Sequence, residues 1–378
     1  MAQVKSPFNG QLNSNEIFGA IYNMIISQQV FADNIKGNYA ELVNKVKTDG
    51  TLYGDTKLFY ATDALKSRKW GNDAEATNLL AINRPNAPEC QAITLDQFRQ
   101  IDITVDNYLS KRAWGDEGAF SSFQSVILGW VNETKRIYEA TLINAYIGTV
   151  KTEANKAEVT IDLTDAKALT GAEKDRKEAM LIAQGMADLF VDLKDISRDY
   201  NDYKFLRSYD SNDFYVVWNA KYVNKIRKVD LPTIFHKDGL MDKFEEVVLP
   251  ERYFGEEITA TNKGTYEATK TGVYVKGKEG KVCALDEMDV VVSGVTTHVF
   301  AGDELPAGAT ITAGECYINE TDIICKVVHN DAVKFMSAFE VGTSFYNPRS
   351  LTENHYLTWG YSKPDYLKNY PIIVVKAA

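Results

Sequence analysis

The sequence predicts an α+β protein built around one long helix, with a small β-rich domain set into its second half. Three observations carry this. First, between Asp116 and Gly148 the apolar residues Phe120, Phe123, Ile127, Trp130, Val131, Ile137, Tyr138, Leu142 and Tyr146 recur in steps of three and four, which places them on one helical stripe. Second, residues 51–113 change to strand-type alternation, with Ile101, Ile103 and Val105 as a period-two set. Third, residues 256–320 are rich in Thr, Gly, Val and Lys, and their short alternating runs are split by closely spaced turn signals.

In chain order, residues 1–50 predict two amphipathic helices. One is capped by Ser14 and carries Ile17, Phe18, Ile21, Tyr22 and Ile25; the other runs from Asp33 to Val46 and is ended by Gly50. No strand precedes them, so they form an arm that needs an apolar surface elsewhere. Strands are expected at Thr51–Tyr60 and Ala92–Tyr108. The charged stretch between them, broken by Gly71, Pro85 and Pro88, reads as a long excursion with an irregular tip. The long helix is capped by Asp116, has Glu117 at its positive end and stops at a left-handed Gly148. About 30 residues at ~1.5 Å each make it roughly 45 Å long, which suits a brace for something extended.

Ala157–Leu163 reads as a strand. A helix from Ala172 to Ile196, capped by Thr170, is expected to turn Met180, Ala183, Met186, Leu189, Phe190, Leu193 and Ile196 inward. A polar, aromatic loop follows, then the apolar strand Phe214–Trp218, a short helix capped by Asn219, and a strand at Val247–Leu249. The stretch 256–320 reads as an insertion, since surface loops accept insertions at low entropic cost. Asp322–Val328 is a buried-type strand and Ala332–Phe339 is short and amphipathic. Phe345–Arg349 turns around Pro348. His355, Leu357, Trp359 and Tyr361 share one face of a strand, and Ile372–Val375 closes the chain.

With 378 residues, one large or two to three modest domains are expected, and 45% hydrophobic residues provide ample core. A net charge of −10 argues against a surface built to neutralise phosphates. No apolar run approaches the ~18 residues of a membrane span, and no charged-then-apolar leader opens the chain, so synthesis in a cytoplasm is expected. The 21 Tyr, 17 Phe and 5 Trp favour protein–protein contacts, where such rings bury area at low entropy cost. Cys90, Cys283, Cys316 and Cys325 form no C-x-x-C pair and read as buried free thiols.

No catalytic, cofactor-binding or metal-ligating residues are predicted. His236, His298, His329 and His355 fall in no metal motif. His329-Asn330-Asp331 reads as a strand end and turn. Gly277-Lys278-Glu279-Gly280-Lys281 lacks phosphate-loop spacing and reads as a charged hairpin tip. Asp195, Asp199, Asp202, Asp210 and Asp213 crowd one region but lack the glycine turn of a calcium loop. Asn132-Glu133-Thr134 and Asn319-Glu320-Thr321 match the glycosylation pattern by chance.

This order of parts resembles the major capsid proteins of tailed bacteriophages with the Hong Kong 97 fold. Asn347-Pro348-Arg349, the aromatic strand His355–Tyr361 and the closing Ile372–Val375 are similar to the ends of capsid proteins from small short-tailed phages. Phe214–Trp218 followed by Asn219-Ala220-Lys221-Tyr222 resembles a strand–helix step of their axial domain. The resemblance implies an N-arm at 1–50, an E-loop with flanking strands at 51–113, and a peripheral domain with its spine helix at 114–165. An axial domain at 166–255 and 321–340 would be interrupted by the β-insertion at 256–320, with closing peripheral strands at 341–378.

It also implies a structural role without catalysis: hexamers and pentamers of an icosahedral shell around packaged double-stranded DNA, which is enclosed without sequence-specific binding. The expected place is the virion capsid, after synthesis in the host bacterial cytoplasm. Expected partners are the chain itself, scaffold and portal proteins and a decoration protein, with no membrane. Some relatives weld their shells by Lys–Asn isopeptide bonds. Here Lys57, Lys66, Lys69, Asn347 and Asn354 match no specific motif, so no cross-link is expected. The competing readings are an encapsulin-type compartment, a tail or baseplate protein, and an enzyme with a scattered site around Asp199–Asp213 and His236.

Overall fold

The computed structural model describes residues 40–50, 54–67, 82, 84–106, 117–223, 245–264, 272–275, 287–300 and 302–378. The expected N-terminal helices before residue 40, the tip of the excursion, the cap at Asp116, most of the helix after Asn219 and the glycine-lysine run at 277–281 lie outside them. The chain divides into two units. One comprises Met1–Tyr39, Gln100–Ile137 and Val341–Leu357; the other comprises Ala40–Arg99, Tyr138–Glu340 and Thr358–Ala378.

The strands β13 (Val333–Asn347) and β14 (Thr352–Ser362) are joined by a turn over residues 348–351, which falls in the first unit. The Asn347 side chain accepts from the Arg349 amide at 3.0 Å, so the expected turn around Pro348 is present. The Thr104 hydroxyl, on β3 (Glu89–Asp106), donates to Asn354 at 2.7 Å.

The second unit is organised on a five-stranded sheet of order β4-β16-β12-β5-β6, made of Glu158–Ile161, Ile372–Ala377, Ile323–His329, Phe214–Asn219 and Glu245–Leu249. Every residue of β5 and β12 is buried. Continuous apolar runs such as Phe-Tyr-Val-Val-Trp are what a strand covered on both faces requires. The helix Gly171–Lys194 packs Ala179, Ile182, Met186, Leu189, Phe190 and Leu193 into the same cluster as Phe214, Val216, Trp218, Val327 and Ile373.

That helix departs from the expected stripe. Met180 and Ile196 are exposed, and Ala179 and Ile182 face inward instead. The reason is Gly185: a Cβ there would lie 2.8 Å from the Ile161 side chain, so the glycine side of the helix is drawn onto β4. Thr170 stands at the N-cap position, but its side chain makes no capping bond. Asn219 does act as expected, accepting from the Lys221 amide at 3.1 Å.

A 33-residue helix, α2, spans Glu117–Thr149; a shorter one, α1, spans Glu41–Val46. Gly148 is not a left-handed stop: the helix continues through it, and a Cβ at that position would sit 1.9 Å from the Tyr253 carbonyl oxygen. It permits a close approach rather than a turn. The last turns of α2 are buried on nearly every side, with Tyr138, Glu139, Ala140, Thr141, Leu142, Ile143 and Asn144 all covered, rather than along one stripe. The Tyr138 hydroxyl shares a 2.7 Å bond with that of Tyr361, and the Arg99 guanidinium lies 4.0 Å over the Tyr138 ring. Ser337 donates to the buried Glu139 at 2.5 Å. α1 ends at Val46, before Gly50, because Lys47–Asp49 turns extended to form β1 parallel to β13. Ala332–Phe339 is likewise no separate amphipathic piece. It opens β13, where pairing with β1 and with β15 (Asp365–Tyr366) buries Val333, Phe335 and Met336.

Gly255–Glu257 (β7), Cys316–Asn319 (β11) and Val273–Val275 (β8) form a three-stranded sheet, and Glu287–Val292 (β9) pairs with Val295–Phe300 (β10) as a hairpin. Ile258, Val273, Val275, Leu305, Ala309, Ile311 and Cys316 form a cluster of their own, onto which Val290, Val292 and Val299 of the hairpin pack. Among the described residues no helix is long and apolar enough to cross a membrane.

Candidate assembly surface

The strand β2 (Thr56–Ala61) is the outermost strand of the sheet β1-β13-β14-β3-β2 and pairs antiparallel with the start of β3, Leu58 opposite Ala92 and Tyr60 opposite Cys90. Among the described residues only one face of this pair is covered. Phe59 packs against the small cluster of Ile93, Leu95, Met336 and Leu367. The opposite face turns Leu58 and Tyr60 outward at 54% and 65% exposure, beside exposed Cys90 and Ala92. Leu65 and Ile82, further along the excursion, are each 81% exposed. An edge strand normally carries charge on its open side. Here it carries exposed leucine and tyrosine instead.

The foot of the excursion is held by a polar clamp. Arg198 donates to Asp63 at 2.7 Å, and the Leu206 amide donates to the same carboxylate at 2.9 Å. Arg207 Nη2 donates to the Thr62 carbonyl at 2.6 Å and to Asn369 at 3.1 Å, and Arg207 Nε donates to Asn369 at 3.2 Å. The Arg198 hydrogen bond, backed by the Leu206 amide, holds the Asp63 carboxyl well down, to about 2. The loop read from sequence as polar and aromatic is therefore a socket for residues 62 and 63. Two arginines beside a run of tyrosines were the available signal, but their partner lies about 140 positions away.

The other singled-out residues have structural employment. His329 ends β12, stacks on Tyr370 with centroids 4.5 Å apart and accepts from the Asp331 amide; burial lowers its pKa. His298 pairs across the hairpin with Asp289. The aspartates are dispersed: Asp202 accepts from Tyr366 at 2.7 Å, Asp199 from Asn155 at 3.0 Å, Asp195 from the Ile196 amide, and Asp210 with Asp213 forms a capping box. Among the described residues no three His, Cys, Asp or Glu side chains converge as a metal site. Cys316 and Cys325 are buried, but Cys90 is exposed, contrary to expectation, because it falls on the open face of β3. His236, Cys283 and Lys69 lie outside the described residues.

The described residues thus form an α+β subunit with a long helix and an exposed apolar face on an outlying strand pair. The fold is that of Hong Kong 97-like phage capsids. In the capsid structure of Staphylococcus phage Andhra, the matching chain is 14% identical with a TM-score of 0.53, covering 88% of this chain and 83% of that one. A chain in the structure of head fiber and inner core protein gp22 of native bacteriophage P68 is 11% identical with a TM-score of 0.58, again over 88% of this chain and 83% of that one. No curated protein sequence matches the chain. The description Phi29-like phage major capsid protein applies to residues 2–364, and the chain belongs to that family. It is a structural protein of the virion that self-assembles into the icosahedral head.

Proposed function

We propose that the chain occupies both hexameric and pentameric positions of the head, and that the open face of β2 and β3 is where one copy seats on the next. The supporting observation is the outward Leu58 and Tyr60 on a segment clamped at its foot by Asp63, Arg198 and Arg207. A surface and its complement on a different part of the next copy generate rings when the rotation closes. In this reading residues 1–50 are an N-arm, 51–113 an E-loop, 114–165 and 341–378 a peripheral domain, and 166–255 with 321–340 an axial domain. Residues 256–320 are an inserted β-domain, a reading supported by their separate sheet and hydrophobic cluster.

Scaffold and portal proteins assist assembly, and the insertion offers a site for a decoration protein. The acidic chain encloses double-stranded DNA without reading its sequence. No residue is assigned a catalytic, cofactor or metal role. The shell is not welded: Asn347 and Asn354, the candidate cross-link acceptors, already engage Arg349 and Thr104. Expressing the full chain with scaffold and portal, followed by electron microscopy, is the test. Wild type is expected to give closed shells that run as single chains on a denaturing gel. The double variant Leu58→Asp, Tyr60→Asp is expected to stay a folded, unassembled subunit. Shells from the double variant would sink the docking face, and a ladder of covalent multimers would sink the unwelded shell.

A further inference from the structure

At the centre of the five-stranded sheet, where β12 otherwise carries apolar residues, stands Lys326, 1% exposed. Its Nζ donates at 2.8 Å to the carbonyl oxygen of Val150, the first residue beyond α2. An ammonium has three donors, and among the described residues this carbonyl is the acceptor it finds. A small cavity of about 20 Å3 adjoins it, lined by Thr149, Val150, Lys151, Glu158, Glu256 and Lys376 among others. That space accommodates about one water molecule.

The charged groups facing Lys326 come from every element around it. Glu158 stands on β4, Lys376 on β16, Glu256 on β7, Glu320 just past β11, and Lys151 just past α2. Two of the three acids, Glu158 and Glu320, are already paired elsewhere. Lys376 holds Glu158 and Glu320, each at 3.0 Å, and Lys151 holds Glu158 at 2.8 Å. A charge on Lys326 has one protein hydrogen bond, and Glu320 and Glu158 offset its burial only in part, whereas a neutral amine keeps that same hydrogen bond and loses the penalty.

We propose that Lys326 is a proton-operated joint: charge on its Nζ loosens the seam where the end of α2 meets β12 and the base of the small sheet, and loss of that charge tightens it. Burial pushes the Lys326 ammonium down to about 7, with Lys376 adding to the depression and Glu320 and Glu158 opposing it. An opened seam restores an ordinary lysine. Opening therefore takes up a proton between about pH 7 and the ordinary lysine value near ~10.4, and is favoured progressively as pH falls through that window. Below about 7 the lysine is charged in both states and the dependence levels off.

Hydrogen exchange on the unassembled full chain tests this, comparing wild type with Lys326→Met at each pH so that the chemical exchange rate cancels. For amides of residues 150–152 and 323–328, the wild-type to variant ratio is expected to rise by up to about tenfold per pH unit between ~10 and ~7 and then flatten. Lys326→Arg, charged throughout, is expected to exchange fast at every pH. A pH-independent ratio overturns the joint. If Lys326→Met does not fold, NMR of wild type labelled at lysine Cε decides. One lysine titrating near 7 supports the proposal; all of them titrating near 10 overturn it.

Discussion

The five-stranded sheet and the β2–β3 pair both carry large apolar side chains, yet those side chains stand in different relation to solvent. Phe214–Asn219 is buried residue by residue, and its partners Ile323–His329 and Ile372–Ala377 close over it. In Thr56–Ala61 the alternate side chains Leu58 and Tyr60 find nothing among the described residues to cover them. The lesson is that apolar content alone does not separate core from interface. What separates them is whether the chain brings its own cover. A strand between two others, under a helix, is core; in the proposed reading the open face of β2 is completed by another copy of the chain.

The comparison breaks most severely at the core. Phe214→Ala removes a ring packed against Phe190, Tyr209 and His329. A loss of about 3–5 kcal/mol in chemical denaturation is expected, with assembly lost as a consequence of unfolding. A retained midpoint would mean that the sheet tolerates the hole. Gly148→Ala tests the close approach at the end of α2. A methyl group cannot fit against the Tyr253 carbonyl, so a loss of about 1–3 kcal/mol is expected where an exposed helical glycine would gain from alanine. Stabilisation by that substitution would show the helix end free to shift.

On the outlying face the effect on the fold should be small while that on assembly is total. Tyr60→Asp is expected to change subunit stability by no more than about 0.5 kcal/mol. Matching loss of stability and assembly would make Tyr60 a core residue and erase the distinction. The smallest expected effect is at the clamp. Asp63→Ala should leave the global denaturation midpoint in place and speed proteolytic nicking between residues 62 and 88. Because the Asp63 carboxyl is held down to about 2, its contribution is present above the ordinary carboxyl value and lost as pH falls through about 2. Protection of residues 62–67 that fades already at pH 5 would point to a different anchor.

Much of the fold was legible from local pattern. The strands at Phe214–Asn219, Ile323–His329 and Ile372–Ala377 announced themselves as mainly apolar runs, the two long helices as three-and-four periodicity, and the small β-rich stretch as closely spaced turns. These signals belong to neighbours in sequence. Ala332–Phe339 misled because its short apolar pattern suits either period, and pairing with Lys47–Asp49 chose the strand.

By itself, then, the sequence determined most of the kinds of element among the described residues, since hydrophobic period and turn chemistry act over a few residues, and the order of parts carried the resemblance to phage capsid proteins. The tertiary structure decided which apolar residues are covered and which polar residues are enclosed. It turned Met180 outward and Ala179 inward, made Gly148 a point of contact with Tyr253, joined Asp63 to Arg198, and placed Lys326 against Val150. Each of these depends on partners far away in the chain, and the distance between them is closed only by folding.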